Sequence, residues 1–267
     1  MTYPPVEQEY RVLLSRLLRL YPTGGASASR VRLRDPHFEV GHVAHGWYMR
    51  CHRGVQAVLV LEDAGFQVEA APIRRSVLEH VVALKWLAAQ GSVVAGILRR
   101  GAANDAKRRK EAMRAANWTS VDLGLFDAVI QDGHGIDSQY DNLLAFKHRC
   151  ERFGTSHDWT TYLAETAQSH PSWESALPYL DVTTGKPVAR NAPNPLVDQA
   201  GFCAIHLLEA LICINQIIDS DSLAAALDEI ELLVKALVVR QRQERGLPVP
   251  PELRTDESTK KASIPDL

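Results

Sequence analysis

An all-α helical bundle is the fold class that the sequence predicts, and three observations predict it. Apolar residues recur with helical periodicity almost from end to end, strand-like alternation is almost absent, and the joints between periodic stretches are mostly short. Short joints favour antiparallel neighbours, so the expectation is a single-domain antiparallel helical bundle over residues 1–248. Residues 249–267 are polar and carry prolines, and read as a flexible C-terminal tail.

Taken in order, Val6–Leu20 reads as a first helix, stopped by Pro22-Thr23-Gly24-Gly25. Val40–Ala64 reads as a second: Val40, Ala44, Trp47, Cys51, Val55 and Val58 share one stripe, and Gly65 ends it. A third covers Val68–Gln90, restarted or kinked at Pro72, with Ile73, Val77, Val81, Leu84 and Ala88 on its apolar face. Ser92–Ala116 reads as a strongly basic fourth helix, followed by shorter ones at Ser120–Gln131, Ser138–Arg152 and Trp159–Ser169. Asp181–Pro195 holds Gly185, Pro187, Pro193 and Pro195 and reads as a long loop. Leu196–Ile218 is apolar on most sides and is expected at the centre of the core. Ser220-Asp221-Ser222 supplies an N-cap for a last helix, in which Leu223, Leu227, Ile230, Val234 and Leu237 form a packing seam. Gly246 and Pro248 stop it.

The 267 residues suffice for a sizeable core within one domain. A composition 46% hydrophobic and 23% charged, with net charge −2, argues against long disorder and against nucleic-acid binding by the chain as a whole. Cys51, Cys150, Cys203 and Cys213 form no C-x-x-C pair, which suits a reducing compartment. The first residues show no basic region leading into an apolar stretch, so no signal peptide is expected. The span Leu207–Ile218, interrupted by Glu209, Asn215 and Gln216, is read as too short and polar to cross a membrane. The expected localisation is cytoplasmic.

The most informative stretch is Gly65-Phe66-Gln67-Val68-Glu69-Ala70-Ala71-Pro72-Ile73-Arg74-Arg75-Ser76-Val77-Leu78-Glu79. A glycine ends one helix, a Glu-Ala step follows, and Arg-Ser-x-x-Glu opens into an apolar helix. This resembles the core signature of an uncharacterised family of bacterial helical proteins, a domain of unknown function. Trp159, Tyr162 and His170 resemble that family's second motif, and the two motifs together span residues 55–171. The resemblance implies an all-helical fold and no particular activity. His80 departs from it, because a small or apolar residue is expected after Glu79.

Read from the residues themselves, Arg75 and Glu79 are four apart and lie on one helical face with Val82 and Trp86. They are expected to form a partly buried ion pair, structural in the first instance. Arg75 and His80 also match R-x4-H, a spacing that resembles the catalytic motif of HEPN-type ribonucleases, which are small helical bundles and usually dimers. That resemblance implies metal-free chemistry, with His80 as general base on a ribose hydroxyl and Arg75 steadying the phosphate. Regular helix opposes it, since five residues turn the two side chains about 140° apart. Arg152 and His157 repeat the spacing.

Glu39, His42, His45 and His52 lie largely off the apolar stripe of the second helix and read as a solvated face rather than metal ligands. Glu39-x-x-His42 is half of a di-iron signature whose second copy is missing. In His157-Asp158, Asp158 reads as a helix N-cap. Arg99, Arg100, Lys107, Arg108, Arg109, Lys110 and Arg114 form a basic run that is read as a solvated helix face.

No glycine-rich phosphate loop, G-x-S-x-G elbow or H-E-x-x-H pair is present. The leading expectation is a non-catalytic module that binds a small molecule or a protein partner through an interhelical cluster of Arg75, Glu79, Tyr162 and His170. The alternative is the ribonuclease, with RNA as its partner. No cofactor, metal or membrane is expected, and a homodimer is left open.

Overall fold

The computed structural model describes residues 5–20, 32–138, 141–181, 183, 187–191, 193, 199–219, 223–250 and 253. Ten α-helices follow one another among them: α1 (Pro5–Leu20), α2 (Gly41–Asp63), α3 (Ala71–Gln90), α4 (Val93–Ala115), α5 (Leu125–Asp132), α6 (Phe146–Phe153), α7 (Ser156–Ser169), α8 (Trp173–Ala176), α9 (Gln199–Ile217) and α10 (Ala224–Glu244). The chain is all-α, as the periodicity predicts.

The α2 stripe buries Val40, Ala44, Cys51, Val55 and Val58, with Trp47 half-buried at its edge. The seam on α10 buries Leu223, Leu227, Ile230, Val234 and Leu237. Two helices share the centre. The first, α9, packs against α1, α2, α3 and α10, and the second, α3, packs against α2, α6, α7 and α9. By length and composition α9 could cross a membrane, contrary to the shorter span read from the sequence, but most of it is buried inside the molecule. That burial is what a core helix requires. On α3 the apolar surface wraps well beyond the expected face, and Leu78, Val82, Trp86 and Leu87 are buried along with Val77, Val81 and Leu84.

Several boundaries move for local reasons. Pro72 stands in the first turn of α3, where its missing N–H costs nothing, so it starts the helix instead of kinking it. The stretch expected as one helix from Ser138 to Arg152 divides into a 3₁₀ turn (Asp141–Leu144) and α6. Helix α7 starts earlier than expected because Thr155 and Asp158 close a capping box. Asp158 is therefore the third residue of the helix, and Thr155 is the N-cap. At the start of the expected long loop, Leu180–Asp181 and Val188–Ala189 pair as a minimal antiparallel ladder. The Pro22–Gly25 stop, the Ser220–Ser222 cap and, apart from 249, 250 and 253, the expected tail lie outside the described residues.

A 3₁₀ turn (Asp35–Val40) precedes α2 and ties it to the α3–α4 joint. His37 Nε2 is 3.0 Å from Ala88 O, and Ser92 N donates to Pro36 O at 2.6 Å. Gly91 makes that joint with φ +58°, and a Cβ there would lie 2.2 Å from Pro36 O. Gly91→Ala is expected to cost about 1–3 kcal/mol for the backbone conformation alone, with the overlap adding to it. A fall in the urea midpoint at unchanged slope is the readout.

Candidate functional site

Helices α3 and α7 lie side by side, and consecutive arginines of α3 reach opposite edges of their contact. Arg74 turns inward and is 1% exposed. Its Nε donates to Glu165 Oε1 at 2.8 Å, and its Nη1 donates to Gln67 O at 2.8 Å and to Gln199 Oε1 at 2.6 Å. Glu165 and Gln199 are 3% and 2% exposed. One guanidinium thus joins α3, the turn before it, α7 and the start of α9. A buried charge persists only with such a set of partners.

These three residues are on the wall of a cavity of about 370 Å³ between α3, α7, α8 and the start of α9. Gln67, Val68, Ala164, Ala167, Gln168, Glu174 and Pro178 complete the lining. The size suits a small organic ligand. Two acceptors in this wall are buried and have no hydrogen-bond partner among the described residues, Glu165 Oε2 and Gln168 Oε1. The Gln168 amide is oriented by Nε2 donating to Glu174 O at 3.2 Å. Arg74 Nη2 takes no part in the bonds to Glu165, Gln67 and Gln199.

Arg75 turns to the outer edge. Its Nε meets Glu79 Oε1 at 3.1 Å, its Nη2 donates to Tyr162 Oη at 3.0 Å, and its Nη1 is 2.8 Å from His170 Nε2. The guanidinium carbon lies 5.0 Å from the Tyr162 ring centroid. Tyr162 itself stacks on Phe146 (4.2 Å) and Trp159 (5.5 Å). The structure therefore brings together Arg75, Glu79, Tyr162 and His170, with the Arg75 guanidinium bonded to each of the other three. The Arg75 and Glu79 side chains remain 25% and 32% exposed, so their pairing is worth little. A double-mutant cycle on Arg75→Ala and Glu79→Ala is expected to give a coupling of about 0.3–1 kcal/mol in thermal unfolding.

His80 does not join them. Its Nδ1 is 2.6 Å from Ser76 O one turn earlier, and burial, with Arg50 and Arg149 nearby, pulls the imidazole below its ordinary range. Arg75 and His80 thus leave α3 in different directions, as the helical angle requires. Glu39 in the 3₁₀ turn and His42 and His45 on α2 are exposed, but His52 corrects the expected polar face. His52 is buried, with Nε2 3.1 Å from Leu18 O, and it docks α1 onto α2. The basic run is also less free than expected. Arg100 Nε donates to Asp141 Oδ2 at 2.7 Å and Lys110 pairs with Asp127, which ties α4 to its neighbours.

Asp158, His206 and Glu209 bring three potential metal ligands together between α7 and α9. Lys85 answers that charge directly, with Nζ 2.7 Å from Glu209 Oε1 and 3.4 Å from Asp158 Oδ2. An internal ammonium thus stands where a cation would be wanted. His206 Nδ1 lies 3.1 Å from Glu209 Oε2. Burial alone would raise the Glu209 carboxyl, but the His206 and Lys85 contacts outweigh it and hold the group at about 2, down from 4.5. The shift is a depression, so its stabilisation is complete above about 4.5 and is lost as pH falls towards about 2. Acid unfolding of Glu209→Gln is expected to lose part of its dependence on pH in that window.

Sequence reading missed Arg74, Glu165 and Gln199. One signal was present: Arg74 precedes Val77, Leu78 and Val81 at helical spacing and so occupies a core position of α3. Glu165 and Gln199 are 91 and 125 residues away and had no local signal.

Compared with known proteins, residues 41–187 match the model of a family described as "Family of unknown function (DUF5677)". The match covers more than half of the chain and includes the two motifs between residues 55 and 171. It takes in α2 to α8 and the cavity wall apart from Gln199, while α1, α9 and α10 lie outside it. No curated protein and no solved structure matches the chain.

Proposed function

The chain belongs to the family of unknown function DUF5677, and from that premise, which brings no chemistry with it, we propose that it is a non-catalytic binding protein whose ligand enters the α3–α7 cavity. The ligand is a small, mostly apolar molecule with an N–H or O–H donor group. One observation carries this reading: Glu165 Oε2 is buried in the cavity wall with no partner among the described residues. An unsatisfied buried carboxylate oxygen costs free energy that a donor on a ligand would recover. Gln168 Oε1 offers a second acceptor, and Glu174 adds negative charge to the wall. Ala164, Ala167, Val68 and Pro178 supply apolar surface for the body of the ligand.

The Arg75–Glu79–Tyr162–His170 cluster serves the same site from the outside. It holds α7 against α3, so the wall carrying Glu165 and Gln168 keeps its place without a ligand. The ribonuclease alternative needs Arg75 and His80 on one phosphate, and the paths of these side chains within one chain do not favour it. Four free, buried cysteines agree with a reducing compartment, and we place the protein in the cytoplasm.

The test uses three probes of similar shape, 2-phenylethylamine, 2-phenylethanol and 3-phenylpropionate, with binding read by saturation-transfer NMR. The amine should bind best, the alcohol more weakly and the carboxylate least. Ala164→Trp, at an exposed position of the wall, should block all binding. Equal signals for the three probes, or signals that survive Ala164→Trp, would sink the proposal.

A further inference from the structure

A second cavity, sharing no lining residue with the first, lies between α4, the Asp141–Leu144 turn and α6, with a volume of about 720 Å³. Its wall brings Arg108 and Arg109 of α4 together with Arg149 of α6. Arg149 differs from the other two. Its Nε is buried and hydrogen-bonds to nothing among the described residues. Its guanidinium rests 5.9 Å from the Trp86 ring centroid, a contact that offsets only part of the cost of a half-buried cation. Burial pushes the Arg149 guanidinium below its ordinary range, with Glu79 opposing that shift from the α3 side.

The carboxylates in this wall are committed in part. Asp105 pairs with Arg108, and Asp141 Oδ2 receives Arg100 Nε at 2.7 Å. Asp141 Oδ1 is buried with no partner among the described residues. Two residues of the wall therefore carry a buried donor without an acceptor and a buried acceptor without a donor among the described residues. Two exposed arginines stand beside them.

We propose that this cavity binds a small phosphate ester that also carries hydroxyl groups. The phosphate accepts from Arg149, with Arg108 and Arg109 adding charge, and a hydroxyl of the same molecule donates to Asp141 Oδ1. Phosphate suits the arginine set better than carboxylate, because even with Arg108 paired to Asp105 the three guanidinium groups present more donors than one carboxylate can use. The hydroxyl separates this ligand from a bare anion, which Asp141 would repel. A sugar phosphate and a nucleotide share this chemistry.

The experiment titrates the full chain by calorimetry with ribose 5-phosphate, AMP, inorganic phosphate and ribose. Ribose 5-phosphate or AMP should bind at least tenfold more tightly than phosphate or ribose, and whichever of the two is tighter identifies the source. Arg149→Gln should weaken that binding at least tenfold. Asp141→Asn should weaken it while leaving inorganic phosphate bound no more weakly than before, because the carboxylate that repels a bare anion is gone. If Arg149→Gln fails to fold, Arg108→Ala/Arg109→Ala, both at exposed positions, should reproduce the loss. The proposal is overturned if neither ester binds, if inorganic phosphate or ribose binds as well as the esters, or if ester binding is unchanged in these variants.

Discussion

Glu165→Ala is expected to destabilise the folded chain by about 3–5 kcal/mol, far more than any change to the neighbouring Arg75–Glu79 pair. Removing Glu165 leaves the Arg74 guanidinium in the interior with, among the described residues, only the Gln67 carbonyl and the Gln199 amide as partners. A buried cation without its counter-charge keeps its desolvation cost and loses the attraction that offset it. Replacing both residues by apolar side chains of similar size, Arg74→Met with Glu165→Leu, should recover much of that loss, since neither charge is then stranded. Urea unfolding monitored by circular dichroism measures all three proteins, with unchanged slope as the sign that only stability moved. If the double variant were no better than Glu165→Ala, the burial of Arg74 would be serving some other contact. Because Glu165 also lines the first cavity, the double variant should lose amine binding even where it regains stability, which separates the fold from the site.

This contrast between adjacent arginines shows what could be read from the sequence and what could not. Helical spacing is local, so the α2 stripe, the α10 seam and the Arg75–Glu79 pair were legible residue by residue. The outer cluster was legible because a motif placed Tyr162 and His170 beside that pair. The inner network was not, because Arg74 finds its partners 91 and 125 residues further on, and no periodicity encodes a contact at that distance. The same holds for Lys85, whose partners Asp158 and Glu209 come from two other helices. His52 was placed on a polar face because helical periodicity sets it largely off the apolar stripe, yet it faces α1, where the Leu18 carbonyl receives it. Boundaries failed where a few polar atoms decide them, as at the Thr155–Asp158 capping box. Arg149 is a harder case. Nothing in the sequence distinguishes it from Arg152 three residues later, and only the packing of α6 against α3 leaves one half-buried and the other exposed.

Trp86→Ala should cost about 3–5 kcal/mol, the range for an aromatic side chain removed from a packed interior. Trp86 is among the largest fully buried side chains and lies on α3, between the core shared with α9 and the α6 side. Its loss would leave a cavity that regular helices cannot collapse to fill. It would also remove the ring over which the Arg149 guanidinium lies. Trp86→Phe separates these effects. The indole Nε1 is buried with no partner among the described residues, so phenylalanine deletes an unsatisfied donor while keeping an aromatic face. Its cost should therefore fall well below that of alanine, as measured by the urea midpoint. The ester-binding site should follow the ring rather than the donor. Trp86→Phe should keep affinity for ribose 5-phosphate within a few-fold, because Arg149 still rests on an aromatic surface. A tenfold or greater loss in that variant, with stability preserved, would mean that the indole N–H itself reaches the ligand.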